Sequence, residues 1–333
     1  MIRLPTASAL VFLSILHFFS FSGEGMPLPP EEIAGKYRNA SPVQWGEHVS
    51  GTASRIASEG KEVALTFDAC GGKKGSAMDR ELLDFLRRER IPATFFLSGP
   101  WLEKNRETTR ELGADPLFEI GNHGAEHRPL SVTGRSAYGI PGTESVSGAA
   151  REVEDNARFL EEITGRRPRY FRSGTNHYDE VAVRVAADLG HTSVSHSHNG
   201  DGGASYSKKK IADGLLSLRG GEIVLFHMNR PEGQTAEGLK EALPLLRKKG
   251  FRFVKLGDRP LVFEDGTSGP SAGKASSGPY GIIRGDSAFF TRRKGCQRRT
   301  EMMPWIQSCS KDGGTISPSG SPLKNLPRRQ KAI

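Results

Sequence analysis

Residues 61–72 read KEVALTFDACGG, and the fold turns on how this stretch is read. Val63, Leu65 and Phe67 alternate with Ala64 and Thr66, the period-two pattern of a short buried strand. The strand ends on a carboxylate, Asp68, and runs through Ala69 and Cys70 into Gly71 and Gly72. Parallel α/β folds place reactive side chains at strand ends of this kind. An aspartate there also serves as a helix cap, so the choice rests on the residues downstream.

From this strand onward, helical and extended patterns alternate. Helices are predicted over 77–90, where Leu82, Leu83, Phe85 and Leu86 form an apolar face, and over 101–112, 149–164, 180–189, 208–218 and 238–249. Strands are predicted over 93–97, 117–120, 169–171, 191–195, 222–226 and 251–255. A Gly- and Ser/Thr-rich connection, 134–148, reads as a loop over one face. About seven strands alternating with helices argue a parallel α/β fold, preferably a closed or partly closed barrel. No GxGxxG follows the first strand, which leaves a dinucleotide fold unsupported.

The chain has 333 residues and a formal charge of +9, but residues 266–333 alone hold 12 Lys or Arg against 3 Asp or Glu. The first 265 residues hold 35 of each sign, so the basicity belongs to the tail and no nucleic-acid partner is expected for the body. Low-complexity sequence such as TSGPSAGKASSGP (267–279) marks 261–333 as a disordered basic tail. Such a tail can contact anionic wall polymers or lipid headgroups, or remain solvated with no fixed partner. At the other end, Arg3, an apolar run over 7–21 and small residues at Ser20 and Ser22 resemble a secretory signal peptide over 1–25. An uncleaved anchor is the alternative, and both imply export to the periplasm or the extracellular space. Residues 26–60 read as an extended segment packing on a domain that occupies 61–260. Cys296 and Cys309 can pair in an oxidising compartment, whereas Cys70 stands alone beside Asp68 and most simply reads as a buried structural thiol.

Polar residues gather at the predicted strand ends. Asp68 follows the first strand, His123 and His127 (GNHGAEHRPL) follow another, Arg172 follows Tyr170-Phe171, and His227 follows 223–226. Histidines four apart can reach one ion from a turn. Asp68 can act as general base on water acidified by that ion, His227 can protonate a leaving amine, and Arg172 can keep Asp68 ionised. The plainer alternatives are a helix cap, a buried histidine with its partners and a surface salt bridge.

In order and separation these segments resemble the polysaccharide deacetylases of carbohydrate esterase family four, over about residues 61–258. TFDACGG resembles that family's TFDDG, HGAEH its H[ST]xxH metal motif, YFRSG its arginine motif, and LFH the segment carrying its histidine acid. The resemblance implies a distorted (β/α) barrel and metal-assisted removal of N- or O-acetyl groups from sugars. It assigns Asp68 as base, His227 as acid, Arg172 as the residue holding the base, and His123 and His127 as metal ligands. Leu225 and Phe226 would lie at the acetyl-methyl pocket. The expected cofactor is a divalent ion, zinc first, with cobalt, nickel or manganese as alternatives. The expected partner is an N-acetylated envelope or matrix polysaccharide such as peptidoglycan, a chitin-like polymer or poly-N-acetylglucosamine, acted on by a monomer.

Three departures qualify this reading. Ala69 stands where the family has its third, carboxylate ligand, Gly124 replaces a hydroxyl residue, and SVSHSHNGDGG (193–203) lacks the family's Asp-Trp pair. A replacement ligand can come from Asp68, Cys70, His177, His196, His198 or Asp201. His196 and His198, two apart, would share a face on a strand. Otherwise two histidines and waters bind the ion more weakly, or the chain is a carbohydrate-binding pseudoenzyme. A hydrolase of small cyclic amides on the same scaffold is a further class.

Overall fold

The structure, a computed structural model, describes residues 30–265. The leader read at 1–25, nearly all of the basic tail, and Cys296 and Cys309 lie outside them. In chain order the elements are α1 (Pro30–Lys36), β1 (Ala53–Ile56), β2 (Glu62–Ala69), α2 (Arg80–Arg88), β3 (Ala93–Leu97), α3 (Gly99–Leu102) and α4 (Arg106–Ala114). Then come β4 (Phe118–Asn122), α5 (Val146–Thr164), β5 (Tyr170–Phe171), α6 (Glu180–Asp188), β6 (Thr192–Ser193) and β7 (His198–Asn199). The described residues end with α7 (Lys208–Leu216), β8 (Ile223–His227), α8 (Thr235–Lys248), β9 (Arg252–Val254) and β10 (Leu261–Phe263). Among the described residues no helix is long and apolar enough to cross a membrane.

Eight strands form one parallel sheet in the order β6-β5-β4-β3-β2-β8-β7, with β9 added along the first residues of β2. This is the parallel α/β architecture expected from the sequence. β1 and β10 form a separate antiparallel ribbon. That ribbon bridges to Val194, just past β6, and to Glu222, just before β8, so it spans from one end of the sheet toward the other. The result is a distorted barrel whose wall is completed on that side by isolated bridges rather than by a continuous ladder.

All eight residues of β2 are buried, as befits a central parallel strand covered on both faces. On one face Phe67 stacks between its register neighbours Phe95 and Phe226, with ring centroids 5.4 Å away on each side. This ladder joins Leu82, Leu86, Leu215 and Leu239 in the main core between sheet and helices. Truncating a buried phenylalanine of this kind costs about 3–5 kcal/mol. Thr66 and Asp68 fall on the other face, inside the barrel, and this half-turn per residue is what delivers Asp68 to the site.

Several boundaries differ from the sequence reading for local reasons. The helix predicted over 101–112 is two helices, broken where Asn105 turns its amide to the carbonyls of Ser76 and Trp101. α5 starts three residues early because the Ser145 hydroxyl accepts from the Gly148 N–H, and it stops at Gly165, which adopts φ 70°. The strand predicted over 191–195 shrinks to Thr192–Ser193, since Ser195 N–H goes instead to the Ala53 carbonyl.

Candidate active site

Asp68 is 3% exposed at the end of β2, where Arg172 Nη1 donates to its Oδ1 at 2.8 Å. Arg172 is fully buried and also donates to Thr66 Oγ1 and to the carbonyls of Val194 and Ser195, with its guanidinium 4.3 Å from the Phe96 ring centroid. Burial works to raise the Asp68 pKa; Arg172, then His123 and His227, outweigh it and hold the carboxyl below its ordinary range. The carboxylate is therefore ionised and fixed in place.

Beyond Asp68 the chain turns sharply. Gly71 has φ 78°, and a Cβ there would lie 2.6 Å from the Trp101 backbone nitrogen, so the turn requires glycine. This turn sets Cys70 against the two histidines. One ligand atom from each of Cys70, His123 and His127 lies within 4.8 Å of the others. His123 Nδ1 donates to the Arg172 carbonyl at 2.8 Å, which leaves Nε2 facing Cys70 Sγ at 3.9 Å and Asp68 Oδ2 at 3.6 Å. His127 Nε2 is buried with no hydrogen-bond partner. Burial pushes the Cys70 thiol up, but His127, His123 and His227 around it reverse this and hold it well below the usual thiol range. A thiolate and two imidazoles, one of them with an orphaned ring nitrogen, are a donor set that fits a divalent ion.

The loop bearing His127 is built around a missed residue. Glu152 of α5 accepts from the N–H groups of Glu126 and Arg128, on either side of His127, which adopts φ 60°. A Cβ on Gly124 would sit 2.3 Å from Glu152 Oε1, so the carboxylate fills the space that a side chain at 124 would need. Gly174 is fixed likewise, since its Cβ would overlap the His127 carbonyl carbon at 2.2 Å. Burial raises the Glu152 pKa to about 7, from an ordinary value of 4.5, despite the two N–H donors. Between those values the folded chain holds a proton that the unfolded chain has lost, so stability falls as pH rises from about 4.5 to about 7. Thermal unfolding at a series of pH values should show this slope in the wild type and a flatter one in Glu152→Ala. The same variant should bind zinc about tenfold more weakly, since its histidine loop loses its anchor.

His227 closes the site from β8, in register with Asp68 on β2. Its Nδ1 lies 2.9 Å from Asp201 Oδ1, and its backbone N–H donates to Asp201 Oδ2. Asp201 is fully buried and further held by Thr235 Oγ1 and the Gly203 N–H. Burial would lower the His227 pKa, but Asp201, aided by Cys70, raises it well above the ordinary imidazole value.

The other sequence candidates separate. Leu225 is 6% exposed and shares the inner face with Asp68 and His227. Phe226, expected at the acetyl pocket, is corrected: strand alternation turns it outward onto Phe67, away from the site. Asp201 orients His227 rather than joining the Cys70 cluster. His196 Nδ1 accepts from Asn176, leaving its proton on Nε2 toward Glu47, so it offers the cluster no lone pair. His198 packs instead against Gly214 of α7, because the pair does not share a strand. His177 lies between the rings of Trp45 and Tyr138.

Residues 55–194 match the polysaccharide deacetylase family. A peptidoglycan-N-acetylglucosamine deacetylase of Bacillus cereus is 26% identical over 202 residues, covering 60% of this chain and 87% of the relative. The fold resembles that of a family 4 carbohydrate esterase of Bacillus subtilis, with TM-score 0.52, 23% identity, and coverage of 69% of this chain and 87% of the other. It equally resembles a family 4 pseudoenzyme of Bacillus anthracis, with TM-score 0.51, 22% identity, and coverage of 61% and 66%. Three of the four motif segments lie within residues 55–194, and over that stretch the chain resembles the polysaccharide deacetylase family.

Proposed function

We propose that this protein is an exported hydrolase that removes N-acetyl groups from an envelope or matrix polysaccharide. The observation that carries the reading is the register pairing of Asp68 with His227 on adjacent parallel strands, with Cys70, His123 and His127 beside them. The leader-like sequence at 1–25 supports export, and the names of the relatives support an N-acetylated glucosamine polymer as substrate.

Cys70, His123 and His127 would hold a divalent ion, and sulfur with imidazole suits zinc or cobalt better than manganese. When bound, such an ion supplies Lewis-acid polarisation of the acetyl carbonyl and lowers the pKa of water. Asp68, kept ionised by Arg172, removes a proton from the water that attacks the acetyl carbon. His227, kept charged by Asp201, gives a proton to the amide nitrogen as the C–N bond breaks, releasing acetate and a free amine. Leu225 stands on the same face, where an apolar contact would suit the acetyl methyl group. The test is acetate release from peptidoglycan and from N-acetylglucosamine oligomers. His227→Ala should lower turnover about 10²-fold, and near-normal release by that variant would remove His227 from the acid role.

Ala69 carries a second reading. With no carboxylate at the family's ligand position, the chain would bind saccharide without hydrolysis, in which case no metal loading yields acetate.

A further inference from the structure

We propose that Tyr138, Trp45 and His177 form a stacking subsite for a second sugar ring of a polymeric substrate, beside the catalytic centre. The proposal rests on the reading that the substrate is an N-acetylated polysaccharide, and it adds how the chain would grip a polymer rather than a single sugar.

Tyr138 is the anomalous residue. Ala137 and Ile140 exchange both backbone hydrogen bonds around a two-residue turn, with φ 52° at Tyr138 and 76° at Gly139. Turns of this type favour Asn, Asp or Gly at their first central position, because an L side chain in the left-handed region is strained. A tyrosine is there instead, 75% exposed. Neither turn chemistry nor burial accounts for it. Strain held at an exposed position points to a task for the side chain.

The surroundings suit a sugar. The Tyr138 ring stands edge-on to His177 at 5.2 Å, and Trp45 lies 5.9 Å from the same imidazole. Pyranose rings present C–H faces that pack on aromatic rings, and their hydroxyl and acetamide groups need hydrogen-bond partners at the edge. Both kinds of partner are present. The Arg135 guanidinium lies 5.1 Å from the Trp45 ring centroid, and Glu47 accepts from Tyr138 Oη at 3.0 Å.

The cluster is tied to the site by short links. Glu47 Oε2 is 3.8 Å from His196 Nε2, and His196 follows Ser195, whose carbonyl accepts from Arg172. The His177 carbonyl accepts from the Leu130 N–H, three residues past His127. Trp45 precedes the matched family segment, and Tyr138 sits on the Gly-rich connection between β4 and α5, so the platform comes from parts of the chain outside the motif segments.

The test compares N-acetylglucosamine and its hexamer as substrates of the full chain loaded with zinc. Trp45→Ala and Tyr138→Ala should each raise KM for the hexamer about fivefold, with kcat and the monosaccharide KM unchanged, since one aromatic stacking contact is lost. Tyr138→Phe keeps the ring and should retain the wild-type KM. Equal KM values for the hexamer in wild type and both alanine variants would overturn the subsite while leaving hydrolysis intact. Intrinsic tryptophan fluorescence of chelator-treated protein, titrated with the hexamer, separates the two claims. A saturable signal lost in Tyr138→Ala, without acetate release by the loaded protein, would uphold the subsite and overturn hydrolysis. A hexamer that neither yields acetate nor changes the fluorescence would overturn the subsite as well.

Discussion

Asp68→Asn is expected to lower turnover about 10³-fold, within the roughly 10²–10⁴-fold range of a lost general base. Asparagine is nearly isosteric and keeps an oxygen for Arg172 Nη1, which now donates to Asp68 Oδ1 at 2.8 Å. It cannot take a proton from water. It also leaves the Arg172 charge uncompensated in the barrel interior, where breaking a buried ion pair costs about 3–5 kcal/mol. Arg172 still reaches Thr66, Val194 and Ser195, which limits that loss. Thermal unfolding and zinc content therefore belong beside the kinetics. A folded, metal-loaded variant with wild-type acetate release would show that Asp68 is not the base.

Cys70→Ala should weaken zinc binding by more than the roughly 10–100-fold that follows loss of a ligand's hydrogen-bond partner, because the ligand itself is removed. Cobalt gives a readout independent of activity. A thiolate on cobalt(II) produces a sulfur-to-metal charge-transfer band in the near ultraviolet, present in the wild type and absent in Cys70→Ala and Cys70→Asp. Cys70→Asp restores a charged ligand of the type the family carries one residue earlier, so it should recover zinc binding without the band. A wild-type cobalt form lacking the band would mean that Cys70 does not coordinate the ion, leaving only His123 and His127.

Much of this was legible in the sequence, and the parts that were not have physical causes. The parallel sheet follows from alternating strand and helix patterns, which are local. Asp68, His123, Arg172 and His227 can be placed because each lies just past a strand with an apolar signature, the place where such folds expose polar groups. The His123–His127 spacing is visible, but their approach to Cys70 depends on Gly71 and Gly174, whose close contacts are tertiary. No motif marks Glu152, whose one signal in the sequence is an acid on the apolar stripe of α5 among Ala149, Val153 and Asn156. Asp201 reads from the sequence only as a candidate ligand, because its link to His227 crosses 26 residues. Phe226 was placed on the wrong face although the period of two along β8 separates it from Leu225 and His227. β7, two residues long, is too short for any pattern to mark.

The most direct measurement is metal content and acetate release on the same purified protein, before and after chelation. The expected result is a bound divalent ion and acetate release from N-acetylglucosamine oligomers or peptidoglycan, abolished by chelator and restored by zinc. Saturable saccharide binding with no acetate at any metal loading would contradict the hydrolase and leave a binding protein on a deacetylase fold.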